Sequence, residues 1–358
     1  MKVGLEGNHI YGYEHRTIFQ TLDCARRLGA DGVFVKTVMD LSPKLDAVEL
    51  RDVQSHADSL GLYLECGIGP INPYNTCERP EIRALGGGDY RRAVESMIHA
   101  ARSIGCTELW ADTATSVGKS AYAGNFNNDR YRTDVSWNDQ LAAVEKFLRL
   151  LVPVLRDTGS RIDIETHEDI TSFEVVRLVE SIGPDVAGIT FDTGNGILRC
   201  EDPIAVARRV APYTHLTHIK DAVLYFDDDG LVRQIPPCGQ GFIDWKELIT
   251  ILGTCSPDLH LSIEDHKGLG KARIFDPRWL AAHPDLRAEE LVDLVRAARI
   301  CEKKIASGER PDPAAYEAIP FERQWEERLT YGIRYLRDCI REINAQPMDN
   351  PTAEQKTL

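Results

Sequence analysis

Residues 161–195, RIDIETHEDITSFEVVRLVESIGPDVAGITFDTGN, read as a strand, a helix and a second strand. Ile162–Glu165 and Gly188–Phe191 are short runs rich in branched and aromatic side chains, the composition of buried strands. Between them, Thr171 or Ser172 suits the cap position of a helix over Ser172–Ile182, because a hydroxyl there accepts from a free amide of the first turn. Val175, Val176, Leu178 and Val179 then lie on one side of that helix. Gly183 follows and tolerates the backbone conformation that turns a helix end toward the next strand. Such a unit packs as two parallel strands crossed by the helix.

The same alternation runs outward in both directions. Further strands are expected at Val3–Leu5, Gly32–Val35, Leu62–Glu65, Glu108–Ala111, Leu216–Ile219 and His260–Glu264, which makes eight. Further helices are expected at Ile18–Leu28, Ala47–Leu60, Tyr90–Ile104, Trp137–Arg156, Pro203–Ala211 and Trp245–Leu252. Glycine endings recur at Gly29, Gly61 and Gly105. Eight alternations predict an α/β fold, a parallel (β/α)8 barrel over residues 1–270. An open doubly wound sheet is the rival, but no GxGxxG follows the first strand.

Residues 271–345 are expected to form a C-terminal helical extension packed on the barrel or on a partner subunit. Its helices are Leu291–Ala306 and Phe321–Asn344, joined by GERPDPAAYEAIP. Residues 346–358 read as a loose tail. The stretches 66–88 and 112–136 are long and leave the C-terminal ends of strands, where lids and substrate walls are built.

Composition narrows the function. A net charge of −14 on 358 residues opposes contact with phosphate backbones, so no nucleic acid partner is expected. No apolar run approaches the length of a membrane span. The start, MKVGLEGNHIYG, lacks a basic region followed by a long apolar stretch, so a cytoplasmic protein is expected. The nine cysteines form no CxxC pair and no even framework; they are expected to be reduced thiols filling apolar space.

Chemistry concentrates at four strand ends. RIDIETH ends on Glu165, GITFDTGN carries Asp192, LTHIKD carries His218 and LSIED carries Glu264. In a barrel these ends converge on one mouth. Three carboxylates there repel one another unless a cation joins them, and with an imidazole they offer the mixed oxygen and nitrogen donors of a divalent metal site. Manganese suits the set best; magnesium, cobalt and zinc are the other candidates. His167, two residues past Glu165, is the candidate acid or base outside the metal shell. Asn195 and Lys220 are candidates for holding substrate, and Asp221 for fixing the His218 tautomer. In Gly239–Trp245, GQGFIDW, Asp244 is expected to cap the next helix, and a phosphate on the GQG amides is the lesser alternative.

The run from Ile162 to Glu264 resembles the sugar phosphate isomerase/epimerase group of xylose-isomerase-like TIM barrels, through IETH, FDTGN, HIKD, GQGFIDW and SIED. The likeness extends over most of residues 1–265. It implies one divalent metal on Glu165, Asp192, His218 and Glu264, and an α-hydroxy-carbonyl substrate, a sugar or sugar acid. It also implies that Glu165 and Glu264 pass a proton on opposite faces of an enediolate. Members of the group include isomerases, epimerases, C-glycoside deglycosidases and decarboxylases of 3-oxo sugar acids.

Two departures stand out. VFVKT puts Lys36 where many relatives end the second strand on glutamate. An ammonium in a pocket calls for an anion, so Lys36 is expected to meet substrate, Glu65 or Glu6, with Glu65 itself a candidate substrate contact. Asn195 stands where ketose 3-epimerases carry histidine, which points away from free-ketose epimerisation. An isomerase or epimerase is the leading expectation and a lyase on a 3-oxo sugar the alternative. A nuclease like endonuclease IV lacks its histidine-rich set and basic face here, and the intact quartet argues against a non-catalytic subunit. A homo-oligomer is expected, with a hetero-subunit role left open by the extension.

Overall fold

The computed structural model describes residues 1–74, 80–113 and 135–345. Its first half runs β1 (Val3–Glu6), α1 (Ile18–Leu28), β2 (Gly32–Val35), α2 (Ala47–Leu60), β3 (Tyr63–Pro70), α3 (Pro80–Leu85), α4 (Tyr90–Ser103), β4 (Glu108–Asp112) and α5 (Trp137–Thr158). Then come β5 (Arg161–Glu165), α6 (Ser172–Ile182), β6 (Ala187–Asp192), α7 (Pro203–Val210), β7 (Thr214–His218), β8 (Val223–Phe226), β9 (Leu231–Gln234) and α8 (Trp245–Cys255). The last part holds β10 (Leu261–Ile263), β11 (Leu269–Ala272), α9 (Pro277–Ala281), α10 (Ala288–Ala306), α11 (Pro313–Ala318) and α12 (Trp325–Ala345).

Strands β1 to β7 lie side by side in chain order, all parallel, and β10 pairs with the free edge of β1. Ile219, just past β7, closes the ring against Ile263. Its amide donates to Ser262 O at 2.9 Å, and the Glu264 amide donates to Ile219 O at 3.2 Å. Closure excludes the open sheet. Strands β1, β2 and β6 are buried at every residue, as expected of strands with side chains in the barrel on one face and helices on the other.

Local chemistry sets the helix boundaries. Thr17 with Gln20, and Thr171 with Glu174, form reciprocal caps at the starts of α1 and α6. Asp244 accepts from the Glu247 amide and starts α8. The apolar faces then bury Leu22, Ala25 and Leu28 of α1 and Val175, Leu178, Val179 and Ile182 of α6 against the sheet.

The structure corrects several expected boundaries. β3 does not stop at Glu65 but continues to Pro70, with a register shift against β4 between Gly67 and Gly69. Gly69 has φ +81°, and a Cβ on Gly67 would stand 2.5 Å from both Lys36 O and Trp110 O, so only glycine fits this bend. The stretch after β7 is not simple connection: β8, β9 and β11 form an antiparallel sheet that packs beside the barrel with α10. Its strand β11 runs across residue 270. Phe321–Arg323 is a separate 3-10 turn, and α12 packs against α1, α8, β1 and β10, the place where the eighth helix of a barrel stands. Residues 114–134 of the second long connection, and the tail 346–358, lie outside the described residues.

A large core joins the barrel to its helices, a smaller one lies under the antiparallel sheet, and Phe34, Trp110 and Leu216 pack inside the ring. All eight described cysteines are free, and all but Cys255 are buried. Among the described residues, no helix is long and apolar enough to cross a membrane.

Candidate metal centre

Strands β5, β6 and β7 end on Glu165, Asp192 and His218, and Glu264 follows β10 directly. The parallel register brings all four to one rim, each buried, with one donor atom of each lying within 4.8 Å of the others. His218 Nδ1 stands 3.3 Å from Glu165 Oε1 and 3.1 Å from Glu264 Oε2. Neither ring nitrogen of His218 has hydrogen-bond geometry to any group, and Asp192 Oδ2 accepts no hydrogen bond, its close partner being the Lys220 ammonium at 2.9 Å. Buried polar atoms without partners are costly, and atoms aimed at a common point are what a cation would satisfy. The residues fit a divalent metal.

Neighbours fix these donors. Asp192 Oδ1 accepts from the amides of Gly194 and Asn195, both at 2.8 Å, so its carboxylate cannot rotate freely. Glu165 Oε2 accepts from Trp110 Nε1 at 2.9 Å, and Oε1 from Asn195 Nδ2 at 3.1 Å. The Phe34 ring meets His218 edge-on at 4.6 Å between centroids and forms an apolar floor.

Charge in the site is tightly balanced. Burial pushes the Glu165 carboxyl up, but His218 and His167 outweigh it and hold it at about 2. Burial dominates at Asp192 and raises it to about 6, against the pull of Lys220. Lys220 Nζ lies 2.9 Å from Asp192 Oδ2 and 3.1 Å from Glu264 Oε2, and donates to Asn195 Oδ1 at 3.3 Å. Burial lowers its ammonium, yet Asp192, Glu264 and Glu165 more than reverse that and keep it charged.

The other sequence candidates divide. Lys36 Nζ pairs with Glu6 Oε1 at 3.4 Å rather than with Glu65, and its side chain is 31% exposed, so it can reach the mouth. His167 Nδ1 lies 2.9 Å from Asp169 Oδ1, while Asp169 Oδ2 accepts from Thr113 at 2.8 Å. Burial lowers His167, but the Asp169 contact and the charges of Glu165 and Asp169 raise it to about 10. Asn195 sits within the quartet. Glu65 does not: it accepts from Ser262 Oγ at 2.8 Å and faces His260 Nδ1 at 2.9 Å, inside the barrel and below the rim. Asp221 does not touch His218 either. Its carboxylate accepts from the amides of Gly239 and Gly241 and from Trp245 Nε1, at 2.8, 2.9 and 2.9 Å. Those glycine amides are thus spent on Asp221, which removes the phosphate alternative for the GQG turn.

Sequence reading missed four contributors. Asp112 ends β4 at the same rim, and burial lifts it to about 7 despite His167; its Oδ1 has no hydrogen bond. The strand-end signal that found Glu165 applies equally to ELWAD and went unused. Arg233 of β9 reaches Gly194 O at 3.0 Å, Asn195 Oδ1 at 3.1 Å and Glu168 Oε1 at 2.6 Å. Nothing local marks it, because the antiparallel sheet carries it in. The rings of His9 and His266 lie 5.2 Å apart, tilted by 38°, beside Glu264.

Comparison with known proteins agrees with this architecture. A family described as xylose isomerase-like TIM barrel matches residues 22–298. The uncharacterized protein YihM of Escherichia coli (strain K12) is 27% identical over 205 residues, which cover 57% of this chain and 61% of that protein, under two thirds of its length. Two solved structures share the fold: D-psicose 3-epimerase from Clostridium cellulolyticum H10 and 3-keto-D-glucoside 4-epimerase from E. coli. The first has a TM-score of 0.57 at 13% identity, covering 84% of this chain and 99% of that one. The second has a TM-score of 0.54 at 16% identity, covering 83% and 99%. With the family match spanning well over half of its length, the chain belongs to the xylose isomerase-like TIM barrel family.

Proposed function

We propose that this protein is a divalent-metal-dependent enzyme that moves a proton at the carbon beside the carbonyl of a sugar or sugar acid, as an isomerase or epimerase. One observation carries the reading: His218 Nδ1, without hydrogen-bond geometry, lies between carboxylates of Glu165 and Glu264 with Asp192 alongside. When bound, the cation supplies a Lewis acid for the negative charge that develops on oxygen as carbon loses its proton. Manganese is the proposed ion, with magnesium, cobalt and zinc as substitutes.

The chain's own groups do the rest. Glu165 and Glu264 flank His218; one, as an ionised carboxylate, takes the proton from carbon on one face, and the other, once it has itself taken up a proton, returns one on the opposite face. Lys36 and Lys220 hold positive charge beside them and favour an anionic transition state. Asn195 and His167 offer donors to substrate oxygens. Phe34 and Trp110 keep water from beneath. We further propose a cytoplasmic homo-oligomer.

A lyase acting on a 3-oxo sugar is the second reading. It is favoured by the charged His167, with about a quarter of its side chain exposed, near a rim carboxyl, Asp112, that titrates near 7. That pair could protonate a leaving group once the carbanion forms. The test is incubation of manganese-loaded and chelated enzyme with ketoses, keto-acids and 3-oxo-glycosides in deuterated water. Metal-dependent deuterium incorporation into an isomerised sugar supports the first reading, and metal-dependent loss of an aglycone or carbon dioxide the second. No metal retained and no turnover of any class overturns both.

A further inference from the structure

We propose that the outer face of α10 is the surface through which two copies of this chain pair, with the two helices antiparallel about a two-fold axis level with Arg296. The proposal gives a surface to the homo-oligomer proposed above and rests on that reading.

The inner side of α10 buries Leu294 and Ala298 in the core under the antiparallel sheet. At about 100° per residue, Glu289, Val292, Asp293, Arg296, Ile300 and Lys303 fall on the opposite side, and all six are exposed. Val292 is 45% and Ile300 56% exposed. Among the described residues, α10 is the one helix that leaves two large apolar side chains in water. Phe275, 60% exposed, extends this face. Its ring stacks on Phe226 at 6.3 Å between centroids, and Glu302 of α10 accepts from the Phe226 amide at 3.0 Å. The aromatic therefore stands beside the last turns of the helix. Single exposed aliphatics are ordinary on a protein surface, but a stripe with an aromatic at its end is built as a contact surface.

Charge selects the occupant. Along the stripe the acids come first, Glu289 and Asp293, and the bases follow, Arg296 and Lys303. A second α10 running the opposite way sets its basic half on this acidic half, whereas a parallel one would set like on like. The positions match as well. Glu289 and Lys303 each lie seven residues from Arg296, and Val292 and Ile300 each lie four. An axis at Arg296 thus brings Glu289 level with the partner's Lys303 and Val292 level with the partner's Ile300. The same two contacts repeat on the other side of the axis, as pairing of identical surfaces requires. Two Arg296 meet at the axis, but each holds Asp293 at 2.7 Å, so two acids stand among the two guanidiniums. Arg299 turns aside to Glu302 at 3.0 Å. From Glu289 to Lys303 the stripe is about 21 Å long, which covers less than the roughly 800 Å² per partner of a standard interface. The pair belongs to the small, concentration-dependent class.

The test is sedimentation velocity on the full chain at roughly 1 to 100 μM, the span around a micromolar Kd. A shift from monomer to dimer is expected with rising concentration, weakened by added salt. Ile300→Glu should raise the Kd about tenfold or more, since it puts a charge into the apolar part of the contact. Glu289→Lys should raise it roughly three- to tenfold, and adding Lys303→Glu to the same chain should restore it, because the exchanged charges pair again. These side chains are exposed, so the urea midpoint should stay at the wild-type value in each variant. A dimer whose Kd is unchanged in Ile300→Glu and Glu289→Lys overturns this proposal and leaves the homo-oligomer reading standing. Weakening by Glu289→Lys without recovery in the double variant also overturns the antiparallel pairing. A monomer at every concentration removes both readings.

Discussion

The barrel holds buried charge at two levels, and the two levels manage it differently. Below the rim, most ionisable groups are matched within the protein. Arg161 Nη1 donates to both oxygens of Glu108 at 2.8 and 2.9 Å. Glu65 is met by Ser262 and His260, and Tyr63 stacks on His260 at 3.8 Å while filling the space above Gly4 and Gly32. Among the described residues the surplus acid there is Asp163, fully buried, with neither oxygen hydrogen-bonded, and burial followed by the charge of Glu108 holds its carboxyl well above the usual range. A proton neutralises it. At the rim, Glu165 and Glu264 stay ionised beside Lys220 and converge on a histidine nitrogen, an arrangement that a divalent cation fits. Buried acids alone therefore do not mark a site; acids that stay charged and face a common point do.

The strongest way to break that contrast is at Asp192. Asn in its place keeps the two amide contacts at Oδ1 and removes the charge facing Lys220. Asp192→Asn should lower kcat/KM by roughly a thousandfold and abolish one equivalent of bound metal, with the circular dichroism spectrum unchanged. Retained metal and activity would place the cation elsewhere.

The lower level should fail through folding instead. A methyl on Gly188 would land 2.1 Å from Asp163 Oδ1 and 2.5 Å from the His215 ring. Gly188→Ala should cost about 3 kcal/mol in a urea titration, while the folded fraction keeps its metal. Between the two levels lies Lys36, at the rim yet paired with Glu6. Lys36→Met should lower kcat/KM by roughly ten- to a hundredfold with a urea midpoint close to wild type; unchanged kinetics would end its role toward substrate.

These differences explain what the sequence made legible. Strand and helix positions followed from two clear periodicities, so seven barrel helices and eight strands were readable to within a few residues. The quartet was readable because a parallel barrel turns a strand's last residue into a rim residue whatever its distance along the chain. Glu65, expected to meet Lys36 or substrate, lies in the interior instead, because its strand runs on to Pro70. Arg233 was invisible because its position depends on an antiparallel sheet whose four-residue strands carry little pattern. The antiparallel turn itself had a signal, Asp-Asp-Asp-Gly at 227–230 between the runs VLYF and LVRQ, that was weaker than the βα rhythm around it.

The smallest expected effect is also the sharpest test of the comparison, because it concerns how the lower level disposes of charge. Asp163 is protonated in the folded chain well above the pH at which an unfolded aspartate ionises. Between those two values the native state binds more protons than the unfolded state, so stability falls as pH rises, by as much as about 1.4 kcal/mol per pH unit for one proton. Below the ordinary aspartate range both states are protonated and the effect is absent. Asparagine mimics the neutral acid at every pH. Asp163→Asn should therefore match wild type near pH 4 and gain stability relative to it as pH increases toward neutrality, read as a growing difference in urea midpoint. A difference that is constant with pH would mean that Asp163 is ionised in the fold, and that the lower level, like the rim, keeps a buried acid charged.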